Sequence, residues 1–142
     1  MPASQPPAYD VGIAGAGQLA RMTCLAAWPL GIRVAVLGRA DEPAAPMAAG
    51  LVDGDWKDAD AVRALGATVG VVTLENEFVD AAALASVQAS GTPVRPDASS
   101  LATVQDKALQ KDLLRGAGLP TSAFAVAERA DDVVAIGRDL GW

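Results

Sequence analysis

The residues of this chain whose types and spacing suit chemistry gather in three places. The first is a glycine turn, Gly15-Ala16-Gly17, that runs into Gln18-Leu19-Ala20. The second is an acidic pair, Glu75 and Glu77, separated by Asn76. The third is Lys107, directly after Asp106. Gly15, Gly17 and Ala20 fill the positions of a G-x-G-x-x-G/A motif. In that motif the first glycine takes a tight turn, the second leaves room for a phosphate near the backbone, and the third small residue lets a helix pack close to a strand. The N–H groups that open such a helix face outward without partners and favour an anion. The motif therefore predicts a phosphorylated small molecule over Gly17, Gln18 and Leu19. Two glutamates accept hydrogen bonds from ribose hydroxyls or an amine, and in an extended segment Glu75 and Glu77 would point the same way. As a metal pair they lack an accompanying ligand cluster. On spacing alone Lys107 reads as an exposed helix lysine.

The composition removes several other chemistries. There is no histidine, so neither a Ser-His nor a Cys-His pair can be built. Cys24 is the single cysteine, which excludes an intramolecular disulfide and a cysteine-rich zinc site. At helical spacing it falls among Met22, Leu25 and Ala26 and reads as a buried thiol rather than a nucleophile. The net charge of −6, without a basic run, argues against nucleic acid and anionic membranes as partners. Arg21, Arg33 and Arg39 remain as local bases for a phosphate. No apolar run reaches membrane-spanning length. The opening MPASQPPAYD lacks the basic and apolar regions of a signal peptide and reads as a disordered lead-in to a cytoplasmic protein. At 142 residues, 51% of them hydrophobic, the chain has room for one domain with a real core and part of another.

The elements that must position these residues follow from the hydrophobic pattern. Apolar runs at Tyr9 to Ala14, Ile32 to Leu37, Leu51-Val52, Val69 to Leu74 and Thr92 to Val94 read as strands, with Val69 to Leu74 expected to be the most buried. Helices are predicted from Gln18 to Trp28, from the Asp58 cap to Leu65 and from Asp80 to Ala89, with a weak one over Ala44 to Ala49. In the first of them Leu19, Met22, Leu25 and Ala26 share one face, and Pro29 and Gly31 close it. In the second, Ala61, Val62 and Leu65 face inward. This alternation predicts an α/β fold with a Rossmann-like parallel sheet over residues 9–95. Beyond the boundary expected at Gly91 to Pro96 lie predicted helices at Ala98 to Val104, Lys107 to Arg115 and from the Asp131 cap to Leu140. A strand is predicted at Ala123 to Val126. Open sheets bind ligands beyond the carboxyl ends of their strands, where the glycine turn, the Arg39 loop and the Glu75-Asn76-Glu77 turn all fall.

Several stretches resemble one family. GAGQLARM resembles the G-x-G-Q-L-G-R-M signature of 5-(carboxyamino)imidazole ribonucleotide synthase, an ATP-grasp ligase of purine synthesis. PLGIRVAVL, the DEPAA loop, GDWKD and VTLENEFV are similar to the same family. So is QDKALQKDLLRGAGLPT, set against Q-D-R/K-x-x-x-K-x-x-L-x-x-x-G-I/L-P-T. Ala20 stands in place of a glycine, Gly38-Arg39 in place of a frequent aspartate, and Asn76 and Phe78 in place of commonly aromatic and polar residues. The resemblance implies a pre-ATP-grasp domain over 9–95, followed over 96–142 by linker helices and the start of an ATP-grasp domain. It implies that Gln18 and Leu19, beside Gly17, contact 5-aminoimidazole ribonucleotide. Glu77, and with it Glu75, would hold the ribose or amine, and Lys107 would reach ATP. The family joins bicarbonate to the amine using ATP and Mg²⁺, through carboxyphosphate, with phosphate clamps and metal carboxylates on later domains. No catalytic or metal-binding residue is therefore expected here. The chain is expected to be inactive alone, as a piece of a longer enzyme, the product of an interrupted gene or half of a split enzyme. Leu109, Leu113, Leu114 and Phe124 are expected to be partly exposed and to drive self-association or a homodimer. Two alternatives stand beside this reading: an NADP-binding oxidoreductase domain, favoured by the glycine turn and Arg39, and a non-catalytic nucleotide-binding module.

Overall fold

Short apolar runs separated by aspartate-capped helices produce a parallel sheet in the computed structural model, which describes residues 6–141. The strands β1 (Tyr9–Ala14), β2 (Val34–Gly38), β3 (Gly50–Asp53) and β4 (Val69–Leu74) lie in the order β3-β2-β1-β4. All three ladders are parallel, with Ala14 opposite both Leu37 and Leu74, and Leu37 opposite Val52. The chain steps to one side of β1 for β2 and β3, then to the other for β4. The order thus reverses between β1 and β4, the place where such sheets open a crevice. The predicted α/β parallel sheet is the observed one.

Burial within the sheet differs from the expectation. All five residues of β2 are buried, whereas β4 buries fully only Val69 and Val72. The cause is position: β2 is interior, and β4 ends the ladder. The predicted strand at 92–94 is reduced to one parallel bridge, Val72 to Val94. There Val72 N donates to Pro93 O at 2.8 Å and Arg95 N donates to Val72 O at 2.8 Å. Pro93 has no N–H to give, which limits a longer ladder.

Helix α1 (Gln18–Ala27) buries Ala20, Cys24 and Ala27. Leu19, Met22, Leu25 and Ala26, the face read from helical spacing, are instead exposed, the first three at 59%, 57% and 48%. The buried stripe runs at i, i+4 and i+7 and is made of small residues. It packs in one cluster with Ile13, Ala16, Val34, Val36 and Ala44. Cys24 is buried as expected, and burial pushes its thiol pKa up. A 3₁₀ turn, Trp28–Leu30, follows, and Gly31 in the left-handed region closes it. The weak helix expected over 44–49 is a shorter 3₁₀ turn, Ala45–Met47, with Pro46 inside it.

Helix α2 (Ala59–Gly66) opens where Asp58 accepts from Asp60 N at 2.8 Å, and α3 (Ala81–Ala89) where Asp80 accepts from Ala82 N at 2.8 Å. They bury Val62, Leu65 and Gly66, and Ala83, Leu84 and Val87. The chain divides into two compact units, Met1–Ala102 and Thr103–Trp142. The division falls within α4 (Ala98–Gln105), past the Gly91 to Pro96 stretch. The first turn of α4 is tied back to α3, because Ala98 N donates to Gln88 Oε1 at 2.9 Å and both Ala98 and Leu101 are buried.

In the second unit, Asp106 caps α5 (Lys107–Gly116) by accepting from Ala108 N at 2.8 Å and Leu109 N at 3.1 Å. The Lys111 ammonium and the Arg115 guanidinium lie 5.3 and 4.5 Å from the centre of the Phe124 ring. Residues 123–126 belong to no sheet, although a strand is predicted there. A strand needs a neighbour to pair with, and the described residues give it none. Asp131 stands before α6 (Asp132–Leu140) without a side-chain cap bond, and Asp132 instead accepts from Arg129 N at 3.0 Å.

Candidate functional site

The site is built where β1 and β4 end side by side. Ala14 and Leu74 are partners in the ladder, so Gly15 and Glu75 leave the sheet together. Glu75 N donates to Ala14 O at 3.2 Å, and Gly15 N donates to Leu37 O at 3.1 Å. Gly15 has φ +126°, a conformation that favours glycine. The Glu75 side chain then folds across the turn. Its Oε2 accepts from Gly17 N at 2.7 Å, and its Oε1 accepts from Leu19 N at 3.1 Å and, at the long limit, from Ala20 N at 3.5 Å.

Both glycines lie against this carboxylate. A Cβ on Gly15 would stand 2.5 Å from Glu75 Oε2 and 2.7 Å from Glu75 Cβ; one on Gly17 would stand 2.5 Å from Glu75 Oε1. Gly17 is the N-cap of α1 and has no side chain to satisfy the helix start, so Glu75 supplies the acceptor from 58 residues away. A half-buried carboxylate at a helix N-terminus is worth up to about 2 kcal/mol. The turn at which a phosphorylated small molecule is expected over Gly17, Gln18 and Leu19 thus has the Glu75 carboxylate against its Gly17 and Leu19 N–H groups.

The other expected residues are distributed as follows. Gln18 and Leu19 are exposed at the start of α1, and Glu77 is exposed two residues beyond Glu75. The segment after β4 is not extended. It bends at 75–76 and turns at 77–78, and Asn76 Oδ1 accepts from Phe78 N at 3.0 Å. Side-chain alternation therefore does not orient Glu77 with Glu75. An asparagine that bonds two residues ahead is a turn signal, legible in the sequence and outweighed there by the pattern of the acids. Val79, just after, is fully buried and anchors the turn. Lys107 belongs to the second unit. It is exposed, and its ammonium donates to Val104 O at 3.1 Å and Gln110 Oε1 at 3.3 Å.

A second concavity lies at the carboxyl ends of β2 and β3, beside the Arg39 loop expected at such an end. Arg39, Glu42, Asp53, Gly54, Asp55 and Trp56 line about 240 Å³. Arg39 N donates to Glu42 Oε2 at 2.6 Å, and its guanidinium lies 3.6 Å from Asp41. The signal for it was the Gly54-Asp55-Trp56 run at the end of a strand. Among the described residues no group of three or more His, Cys, Asp and Glu is arranged to hold a metal ion. No helix of the described residues is long and apolar enough to cross a membrane.

An open parallel sheet, a glycine turn at its first crossover and an acidic turn across the switch point define a Rossmann-like α/β domain. The chain belongs to the family of ribonucleotide synthetase preATP-grasp domains, whose model matches residues 9–105. It is similar to the N5-carboxyaminoimidazole ribonucleotide synthase of Synechococcus elongatus, with 40% identity over 119 residues, 83% of this chain and 30% of that protein. The synthase of the same name from Pseudomonas aeruginosa is 34% identical over 131 residues, 92% of this chain and 36% of that one. Among solved structures, the N5-carboxyaminoimidazole synthase of Aspergillus clavatus in complex with ADP and 5-aminoimidazole ribonucleotide superposes with a TM-score of 0.85. That match has 37% identity and covers 95% of this chain and 37% of that one. The chain spans about a third of the length of the relatives it matches.

Proposed function

We propose that this chain is the amino-terminal, ribonucleotide-binding part of an ATP-dependent ligase that carboxylates 5-aminoimidazole ribonucleotide with bicarbonate in purine biosynthesis. The observation that carries the reading is likeness to N5-carboxyaminoimidazole ribonucleotide synthases over 83–92% of the chain, with the glycine turn and Glu75 meeting at the switch point. In this reading Gln18 and Leu19, carried on the turn, contact the ribonucleotide. Glu77 accepts from its ribose hydroxyls or amine, Glu75 lies against the same turn, and Lys107 reaches ATP. Mg²⁺ would be held by residues other than those described here, and residues 6–141 alone would not carboxylate. The protein would act in the cytoplasm and self-associate, as a homodimer or a larger assembly. Exposed Leu109 and Leu113 support self-association, and a single monomeric species at high concentration in sedimentation would overturn it.

The test of the reading is ligand-induced stabilisation. A ligand at a hundredfold its Kd adds about 2.7 kcal/mol. 5-Aminoimidazole ribonucleotide should raise the melting temperature, and Glu77→Ala should weaken its binding by about tenfold, as expected for a lost hydrogen bond to a charged group. Stabilisation by NADPH and not by the ribonucleotide would sink the reading.

A further inference from the structure

We propose that Glu75 is a positioning and specificity residue whose carboxylate closes the glycine turn to phosphate. Two features of the turn support this. First, the carboxylate engages the same N–H groups that a phosphate would need: Gly17 N at 2.7 Å, Leu19 N at 3.1 Å and Ala20 N at 3.5 Å. A second anion there would face the first at contact distance, with like charges repelling. Second, the clearance at Gly15 and Gly17 is already taken up by Glu75 atoms, so the space that such glycines leave for a pyrophosphate is filled. The root of the side chain is fixed as well, because Leu74 is paired in the sheet and Glu75 N is bonded to Ala14 O. Glu75 thus converts a phosphate-binding motif into a rigid carrier for Gln18 and Leu19. What those two residues meet is read by them and not by the open helix end.

The assignment is independent of the proposed substrate, and its test uses neither ribonucleotide nor ATP. The whole chain, labelled with ¹⁵N, is titrated with inorganic pyrophosphate at millimolar concentration, and the amide signals of Gly17, Leu19 and Ala20 are followed. The wild-type amides should not shift. In Glu75→Ala the turn is vacated, and the three amides should shift saturably with pyrophosphate. Acetate, a small carboxylate, should compete with it. If Glu75→Ala does not fold, Glu75→Gln, which keeps the volume and loses the charge, should show the same shifts at higher concentration. Wild-type amides that shift as the variant's do would overturn the proposal. So would a folded Glu75→Ala or Glu75→Gln whose turn amides ignore pyrophosphate.

Discussion

Residues 6–102 and residues 103–141 are made of similar short helices, yet different forces hold them. Every buried hydrophobic residue lies at or before Leu101, and α5 and α6 bury none of theirs. Leu109, Leu113, Val133, Val134 and Leu140 are 44–64% exposed. In the first unit the helices are fastened by burial against the sheet. In the second, local chemistry does the work: the Asp106 cap, the Asp112–Arg115 pair one turn apart, and the two cations against Phe124. Isolated helices of this length are marginal in water. Helical sequence signals are therefore equally clear in both units, while resistance to unfolding is not.

The sharpest way to break this contrast is a matched pair of truncations. Leu84→Ala, at a fully buried position of α3, should cost about 3 kcal/mol in urea unfolding. Leu113→Ala, 64% exposed, should cost less than about 0.5 kcal/mol. Equal costs would mean that the second unit has a core after all. A finer test separates the caps. Asp106→Ala should cost α5 about 1 kcal/mol, seen as faster amide exchange in that helix. Asp131→Ala should leave α6 unchanged, because its side chain caps nothing.

The smallest effect concerns acid. Asp10 is held below the ordinary carboxylate range, first by the Arg33 backbone N–H, then by the Arg33 side chain. Asp97 is likewise lowered, first by the Ser99 hydroxyl and then by the Ser100 N–H. A carboxyl whose folded pKa is depressed stabilises the fold above its unfolded pKa, and that stability is lost as pH falls through the folded value. The melting temperature should therefore decline as pH drops below the usual carboxylate range, and Asp10→Asn with Asp97→Asn should flatten the decline. An unchanged slope in the double variant would show that other carboxylates carry the acid response.

Much of the fold was legible because its signals are local. Asp58, Asp80 and Asp106 cap the helices they precede, and four of the apolar runs became parallel strands. The misses share a cause: they depend on neighbours distant in the chain. Helical spacing set Leu19, Met22, Leu25 and Ala26 together as the apolar face of α1. The gap above β1 and β2 admits only Ala20, Cys24 and Ala27. Val69 to Leu74 is rich in β-branched residues but ends the ladder, a fact of strand order that no window of sequence contains. At the site, the residues of the glycine turn and the acidic turn were found, but their relation was not. Spacing on one strand set Glu75 and Glu77 as a pair, whereas Glu75 is committed to a turn 58 residues earlier.

That commitment has a consequence for descent. Gly15, Gly17 and Glu75 are three codons far apart in the gene, yet selection can treat them only as one trait. A lineage that keeps the glutamate and takes alanine at Gly17 must move the carboxylate, since the added carbon would stand 2.5 Å from its oxygen, while Gly15 is held to glycine by its φ of +126° as well. A lineage that loses the glutamate frees Gly17 to drift, and leaves the helix end open to whatever anion the cell supplies. Among descendants of a common ancestor these positions should therefore change together or stay together.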